Sequence, residues 1–167
     1  MKILIIYAML LSNSCMGVVN KTTFEENGMD TLYVLEFKNN FYEEGLFKVF
    51  HLSDHTGKSR DRIELHKNDS IMAVLELPIP NDEVKNLSVN EIKEEKDGFS
   101  FTVSWGGGKD YYLYTYFFIY DQNNFFLNRV IEEKMPVDNE DGYLKEKAMN
   151  PRIKISDFNL RQDIESR

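Results

Sequence analysis

Cysteine is nearly missing from this chain of 167 residues: there is one, Cys15. A lone thiol excludes an intramolecular disulfide, so the fold must rest on packing. Positive charge is also short, with 20 Lys and Arg against 28 Asp and Glu and a net charge of -8. That balance argues against nucleic-acid binding, where phosphate neutralisation supplies much of the affinity. It argues equally against docking of the folded domain on anionic lipid. A basic protein partner suits it. Proline and glycine are sparse, at 4 and 9 residues, and no linker rich in either divides the chain. One domain without internal repeats is expected. No run is long enough for a permanent membrane-spanning helix; Ile3 to Leu11 contains nine apolar residues, and a span needs about 20.

What is present begins at the N-terminus. Lys2 is followed by that apolar run, then by Ser12, Asn13 and Ser14, then by Cys15. A charged start, an apolar middle and a small-residue end are the parts of a secretory signal. The stretch Leu11-Ser12-Asn13-Ser14-Cys15 resembles a bacterial lipoprotein signal. In that family the cysteine becomes the first mature residue and carries lipid. Ser14 fits the small residue expected before the cysteine, whereas Ser12 stands where Leu is usual and Leu11 lies one position early. The resemblance implies a diacylated Cys15 and attachment to a bacterial envelope membrane, on its periplasmic or outer face. Two acyl chains suffice for stable anchoring. The alternatives are ordinary cleavage near Ser14 or Gly17, giving a soluble secreted protein, and a first strand over residues 3–11 in a cytosolic one. The division expected is a signal over residues 1–14, a tether over 15–30 and a domain over 31–167. The polar stretch Asn20–Asp30 offers little to bury and reads as the tether.

Aromatics are abundant, with 12 Phe, 9 Tyr and 1 Trp, and they tilt the domain toward sheet. Apolar residues alternate through Leu32–Phe37, Leu46–Phe50, Ile63–Leu65 and Ile71–Leu77, and Pro78 and Pro80 end the last run. Phe99, Phe101, Val103 and Trp105 alternate with Ser100, Thr102 and Ser104, the period of a strand with one buried face. Asp110–Tyr120 and Phe125–Met135 read as a hairpin around Gln122-Asn123. Residues 81–89 are ambiguous, with Asn81 or Asp82 able to cap a short helix. A second short helix is expected over Leu144–Met149, stopped at Asn150-Pro151. Arg152–Phe158 reads as a last strand with a loose end after it. The expected fold is mainly β, with α+β as the alternative: an antiparallel half-barrel or sandwich with one or two short helices. The segment Phe99–Glu133, with Trp105-Gly106-Gly107-Gly108 and Tyr116-Phe117-Phe118-Ile119-Tyr120, is similar to the closing strands of small exported β-rich bacterial proteins of unassigned function. That likeness implies an envelope address and transfers no catalytic residue.

In a two-residue hairpin at Gln122-Asn123, residues whose numbers sum to 245 face each other. Tyr116 then opposes Arg129, and Tyr114 opposes Ile131. One face would carry Tyr112, Tyr114, Tyr116, Phe118, Tyr120 and Arg129. Exposed, it would be a protein or glycan contact surface, since rigid aromatics lose little entropy on binding. Covered by residues 136–165 or a second sheet, it would be core. The three histidines, His51, His55 and His66, lie near Glu64, and imidazole with carboxylate suits a divalent metal. His51 and His55 would need a helix to meet, however, and Ser53–Gly57 reads as a turn. Gly106–Gly108 feeds a strand rather than a helix, so it reads as a turn and not a phosphate loop. No HExxH, no nucleophile elbow and no motif requiring a cofactor is present. These features favour a noncatalytic envelope lipoprotein acting as a binding module, in one version an immunity-type protein against a periplasmic toxin. The alternatives are an accessory lipoprotein that binds surface glycan or an assembly partner, and a metal-dependent envelope enzyme.

Overall fold

The structure, a computed structural model, describes residues 18–20, 25–26, 29–38, 46–53, 61–107, 109–136 and 141–166. The signal-like segment, Cys15 and His55 lie outside them. Two antiparallel sheets form the molecule. The first holds β1 (Val18–Asn20), β2 (Glu25–Glu26), β3 (Met29–Lys38), β4 (Leu46–Ser53), β5 (Arg62–Lys67) and β6 (Ser70–Glu76). Its order is β1-β3-β4-β5-β6, with β2 also paired to β3. The second holds β7 (Ser88–Glu95), β8 (Gly98–Gly107), β9 (Asp110–Asp121), β10 (Asn124–Pro136) and β11 (Tyr143–Lys154), in the order β11-β10-β9-β8-β7. A 3-10 turn over Ile155–Asp157 and helix α1 (Leu160–Glu165) complete the chain. The expected mainly β, antiparallel architecture is therefore present as a sandwich. β1 and β2 pair with β3 inside the stretch read as a tether, so the first sheet begins before residue 31.

Local chemistry explains the hairpins. Asn68-Asp69 and Gln122-Asn123 all have positive φ, between 47 and 67°. Two consecutive left-handed residues make the turn whose twist matches antiparallel strands. Gly98 opens β8 directly beneath β9, where an added Cβ would collide with the Phe118 carbonyl. Only glycine fits there.

The core lies between the sheets and is largely aromatic. Phe99 stacks on Phe118 at 5.2 Å between ring centroids, and Phe125 meets Phe99 edge-on at 5.3 Å. From the first sheet, Phe47 contacts Tyr120 at 5.0 Å and Phe125 at 5.2 Å. The C-terminal segment covers what the first sheet leaves open. Phe158 packs on Tyr116 and Phe118, Leu160 and Ile164 are buried, and Tyr116 Oη donates to Asp163 at 3.0 Å.

Several sequence expectations change. Leu144–Met149 is not a helix but part of β11, because its residues find a free edge on β10, from Arg129↔Ala148 to Glu133↔Leu144. Strand pairing overrides the weak helix preference of Lys, Glu and Ala. Asn150-Pro151 has a cis peptide and falls where that pairing is interrupted. The end is not loose: Leu160 and Ile164, four apart on α1, anchor it in the core. Residues 81–84 form a capped bend, Asn81 Oδ1 accepting from Glu83 N and Val84 N at 2.8 and 2.9 Å. The polar face of β8 is also buried. Ser100 donates to Glu95, Ser104 donates to Asn90, and Thr102 bonds Thr115, all within 3.0 Å. Small side chains on a central strand are shadowed by longer neighbours from β7 and β9, so alternation does not mean exposure here.

The hairpin register holds through Leu127↔Phe118 and then slips by one. Asn128 is an extra residue, a bulge of the kind that re-aims the side chains beyond it. Arg129 faces Phe117 and Ile131 faces Thr115, while Tyr116 and Tyr114 face Val130 and Glu132. Face assignment predicts a sharp contrast between neighbours. Phe118→Ala should lower stability by about 3–5 kcal/mol. Phe117→Ala, which removes a half-buried ring lying 4.0 Å under the Arg129 guanidinium, should lower it by less than about 2 kcal/mol. Urea melts of the two variants check this; equal losses would overturn the assignment.

Candidate functional site

The expected aromatic contact surface is interior. Tyr114, Tyr116, Phe118 and Tyr120 are all buried, and Arg129 lies on the opposite face of the sheet. The physical reason is the covering of this face by the first sheet and by Phe158, Leu160 and Ile164. Tyr112 is half-buried at its open end.

The histidine group is not assembled. His51 points into the core opposite Ile63, whereas Glu64 and His66 pair with Phe50 and Lys48 on the outer face of the same sheet. Odd and even strand positions point to opposite sides, so one metal ion cannot bridge them. Among the described residues no group of three or more His, Cys, Asp or Glu is placed to hold a metal. On the outer face, Arg62 Nε donates to Glu64 Oε1 at 2.6 Å and His66 Nε2 donates to Oε2 at 2.8 Å. Burial pushes the Glu64 carboxyl up, but the His66 and Arg62 hydrogen bonds and charges outweigh it and hold the pKa below its ordinary value. That arrangement is a satisfied structural ion pair. The His51 ring is different: among the described residues neither nitrogen has a hydrogen-bond partner. Burial lowers its pKa to about 4, opposed by the Asp61 charge.

The open cleft lies elsewhere, where the inner face of the second sheet runs past the cover of the first. Two cross-strand rows form its floor. One is Trp105–Tyr112–Lys134–Tyr143, reading from β8 to β11, and the other is the pair Tyr114–Glu132 from β9 and β10. Directly opposed residues share a face. The C-terminal end of α1 (Ile164, Glu165, Ser166) forms one wall and the capped bend at Glu83-Val84 another, enclosing about 770 Å³. The rings are ordered: Trp105 lies 5.7 Å from Tyr112 and 4.6 Å from Tyr114. Lys134 Nζ sits 2.9 Å from Asp110 Oδ1, and Tyr112 Oη approaches Asp110 Oδ2 at 3.4 Å. Burial raises the Tyr112 pKa, and the Asp110 charge adds to it. Glu132 is only 8% exposed, whereas Glu83 stands at the rim in solvent. Lys145 Nζ lies 4.3 Å from the Tyr143 ring centroid.

Of the residues singled out from sequence, Tyr112 and Tyr114 line this cleft. Trp105, Glu132, Lys134 and Tyr143 are the additions, with Glu83 and Glu165 from the walls. Their convergence depends on the slip at Asn128, which no spacing rule announces. Without the slip, Leu113 rather than Tyr114 would face Glu132.

The fold and site together define an antiparallel β-sandwich with an aromatic, acid-rich cleft at one open end. No family model matches the chain, and neither a curated protein nor a solved structure was found to match it.

His51 makes a pH prediction. Its folded-state pKa is below its unfolded value of 6.5, so the unfolded chain takes up the proton first as pH falls. Stability should therefore drop between pH 6.5 and 4 and level off below, by about 3 kcal/mol in all for this group. Chemical denaturation between pH 6.5 and 5, where carboxylates stay ionised, isolates it. His51→Leu should flatten that part of the curve; an unchanged slope would refute the assignment.

Proposed function

We propose that this protein is a noncatalytic binding module of the bacterial envelope, anchored through lipid on Cys15, and that the cleft between β9–β11, α1 and the Glu83-Val84 bend is its ligand surface. The cleft is the observation that carries the binding reading. It is concave, floored by aromatic rings and supplied with a few charged groups at fixed places, the composition of a ligand site. Its volume of about 770 Å³ admits a protruding loop or side chain of a partner. Export rests on the order of Lys2, residues 3–11, Ser12–Ser14 and Cys15.

Within this reading the immunity-type role fits best. An acidic protein with net charge -8 attracts a basic partner and speeds its encounter. A toxin with a basic surface, arriving in the periplasm, would be a partner of that kind. The glycan-binding alternative draws on Tyr112 and Tyr143, the half-buried rings of the cleft.

Two measurements test the reading. Intact mass of the protein from its native cell should correspond to a chain beginning at Cys15 with a diacylglyceryl modification; the full-length mass would refute export. Deletion should sensitise cells to an envelope-targeting toxin of competing strains. Complementation with the double variant Glu83→Lys, Tyr143→Ala should fail to restore protection while its thermal midpoint stays within about 2 °C of the parent, as befits substitutions at the rim. Full protection by that variant would remove the cleft from the function.

A further inference from the structure

We propose that β11 pairs with β11 of a second copy of this chain, antiparallel and about a two-fold axis through Leu144, so that the second sheets of two protomers become one continuous sheet. The inference does not depend on the cleft reading above. β11 is the last strand of its sheet, paired to β10 on one side, and among the described residues no strand lies along its other side. Such an edge presents a row of unpaired N–H and C=O groups, the template for a further strand. Residues 144 to 148 are all exposed. Leu144, at 67%, is the most exposed large apolar residue among those described. It faces outward from the sandwich, opposite Glu133.

Backbone geometry restricts the register. Along a strand the N–H and C=O groups of successive residues point alternately to one edge and the other. A strand paired antiparallel with its own copy must therefore match residues an even number apart, so the two-fold axis passes through a residue that faces itself. The ladder to β10 is regular over Tyr143–Ala148 and is broken between Ala148 and Ile153. Axes with a regular neighbour on each side are then those at Leu144, Lys145, Glu146 and Lys147. An axis at Lys145 or Lys147 sets two ammonium groups against each other. An axis at Glu146 opposes two carboxylates and, on either side, Lys145 and Lys147. Like charges directly opposite destabilise a sheet. The axis at Leu144 has the opposite character. It brings leucine against leucine on the outer face and sets Tyr143 of each copy opposite Lys145 of the other. It also brings Lys147 level with Asp141 of the other copy, and both are exposed. Within one chain Lys145 Nζ lies 4.3 Å from the Tyr143 ring centroid, so the cross-strand pair repeats a contact the strand already makes. Lysines commonly guard sheet edges against pairing. Here they exclude the other registers and leave this one.

The test uses the full chain with Cys15→Ser, so that an introduced cysteine is its only thiol. Directly opposed Cα atoms of antiparallel strands lie about 4.5–5.5 Å apart, within the range of about 4.4–6.8 Å that a disulfide spans. Under mild oxidant Leu144→Cys should form a disulfide dimer at least about tenfold faster than Val74→Cys, an exposed position on β6, because only the former is held beside its own copy. Added to Leu144→Cys, Lys147→Asp or Asp141→Lys should each slow cross-linking at least about threefold, and the two together should restore it. Without an introduced cysteine, the chain should associate reversibly in sedimentation velocity. Leu144→Lys, which places an ammonium on the axis at an exposed position, should leave it monomeric. Equal cross-linking at positions 144 and 74 would overturn the inference, as would a chain that stays monomeric up to about 1 mM. Cross-linking that ignores the charge variants, or that the double variant does not restore, would overturn the register at Leu144. The toxin-protection assay decides the cleft reading separately.

Discussion

Burial of one aromatic layer holds this protein together. With a single cysteine, no disulfide can restrain the unfolded chain, and the two sheets are joined by the contacts between their inner faces. Phe99, Phe118 and Phe125 form the centre of that layer, and Phe47 brings the first sheet onto it. Each fully buried ring removes enough apolar surface from water to contribute about 2–3 kcal/mol. Everything else is arranged around this layer. β9 and β10 supply its longest strands, and the C-terminal segment closes the side that the first sheet leaves uncovered. Tyr116 shows how completely: its ring is buried and its hydroxyl is satisfied by Asp163 on α1.

The cleft exists because that covering stops short. Toward the Tyr112 end of β9, the described residues that face the inner side of the second sheet are those of α1 and the Glu83-Val84 bend. The rows through Tyr112 and Tyr114 become a floor, walled by the end of α1 and the bend capped by Asn81. One inserted residue sets what the floor presents. The bulge at Asn128 brings Glu132 opposite Tyr114 and Lys134 opposite Tyr112, and sends Arg129 to the outer face over Phe117. Bulges commonly re-aim side chains at functional edges. Here the effect is to place the Glu132 carboxylate among the aromatic rings Trp105, Tyr112, Tyr114 and Tyr143.

Much of the fold was legible from residue patterns. The alternation of Phe99, Phe101, Val103 and Trp105 marked β8, and the polar pair Gln122-Asn123 marked the β9–β10 hairpin with both residues left-handed. Both depend on local stereochemistry, which acts on neighbours in the chain. The failures are nonlocal. Leu144–Met149 carries helix-forming residues, yet the free edge of β10 makes them a strand. Ser100, Thr102 and Ser104 look solvent-facing, yet longer side chains from adjacent strands cover them. His51 and His66 are close in sequence, yet strand geometry turns them to opposite faces. Two of the cleft residues, Tyr112 and Tyr114, were legible as part of an aromatic face. Their company was not, because it is drawn from β8, β10, β11, α1 and a bend near residue 83.

The sequence by itself determined the class of fold: period-two patterning, turn residues and aromatic weight commit the chain to antiparallel sheet, since each acts through the residue's own backbone and its immediate neighbours. It also determined the charge sign and the absence of covalent staples. Only the tertiary structure decided which aromatic residues are core and which line a surface. That depends on where one sheet ends over another, on a one-residue slip in register, and on a short helix anchored by Leu160 and Ile164. Such outcomes follow from competition among distant surfaces for burial, and no local pattern encodes the result of that competition.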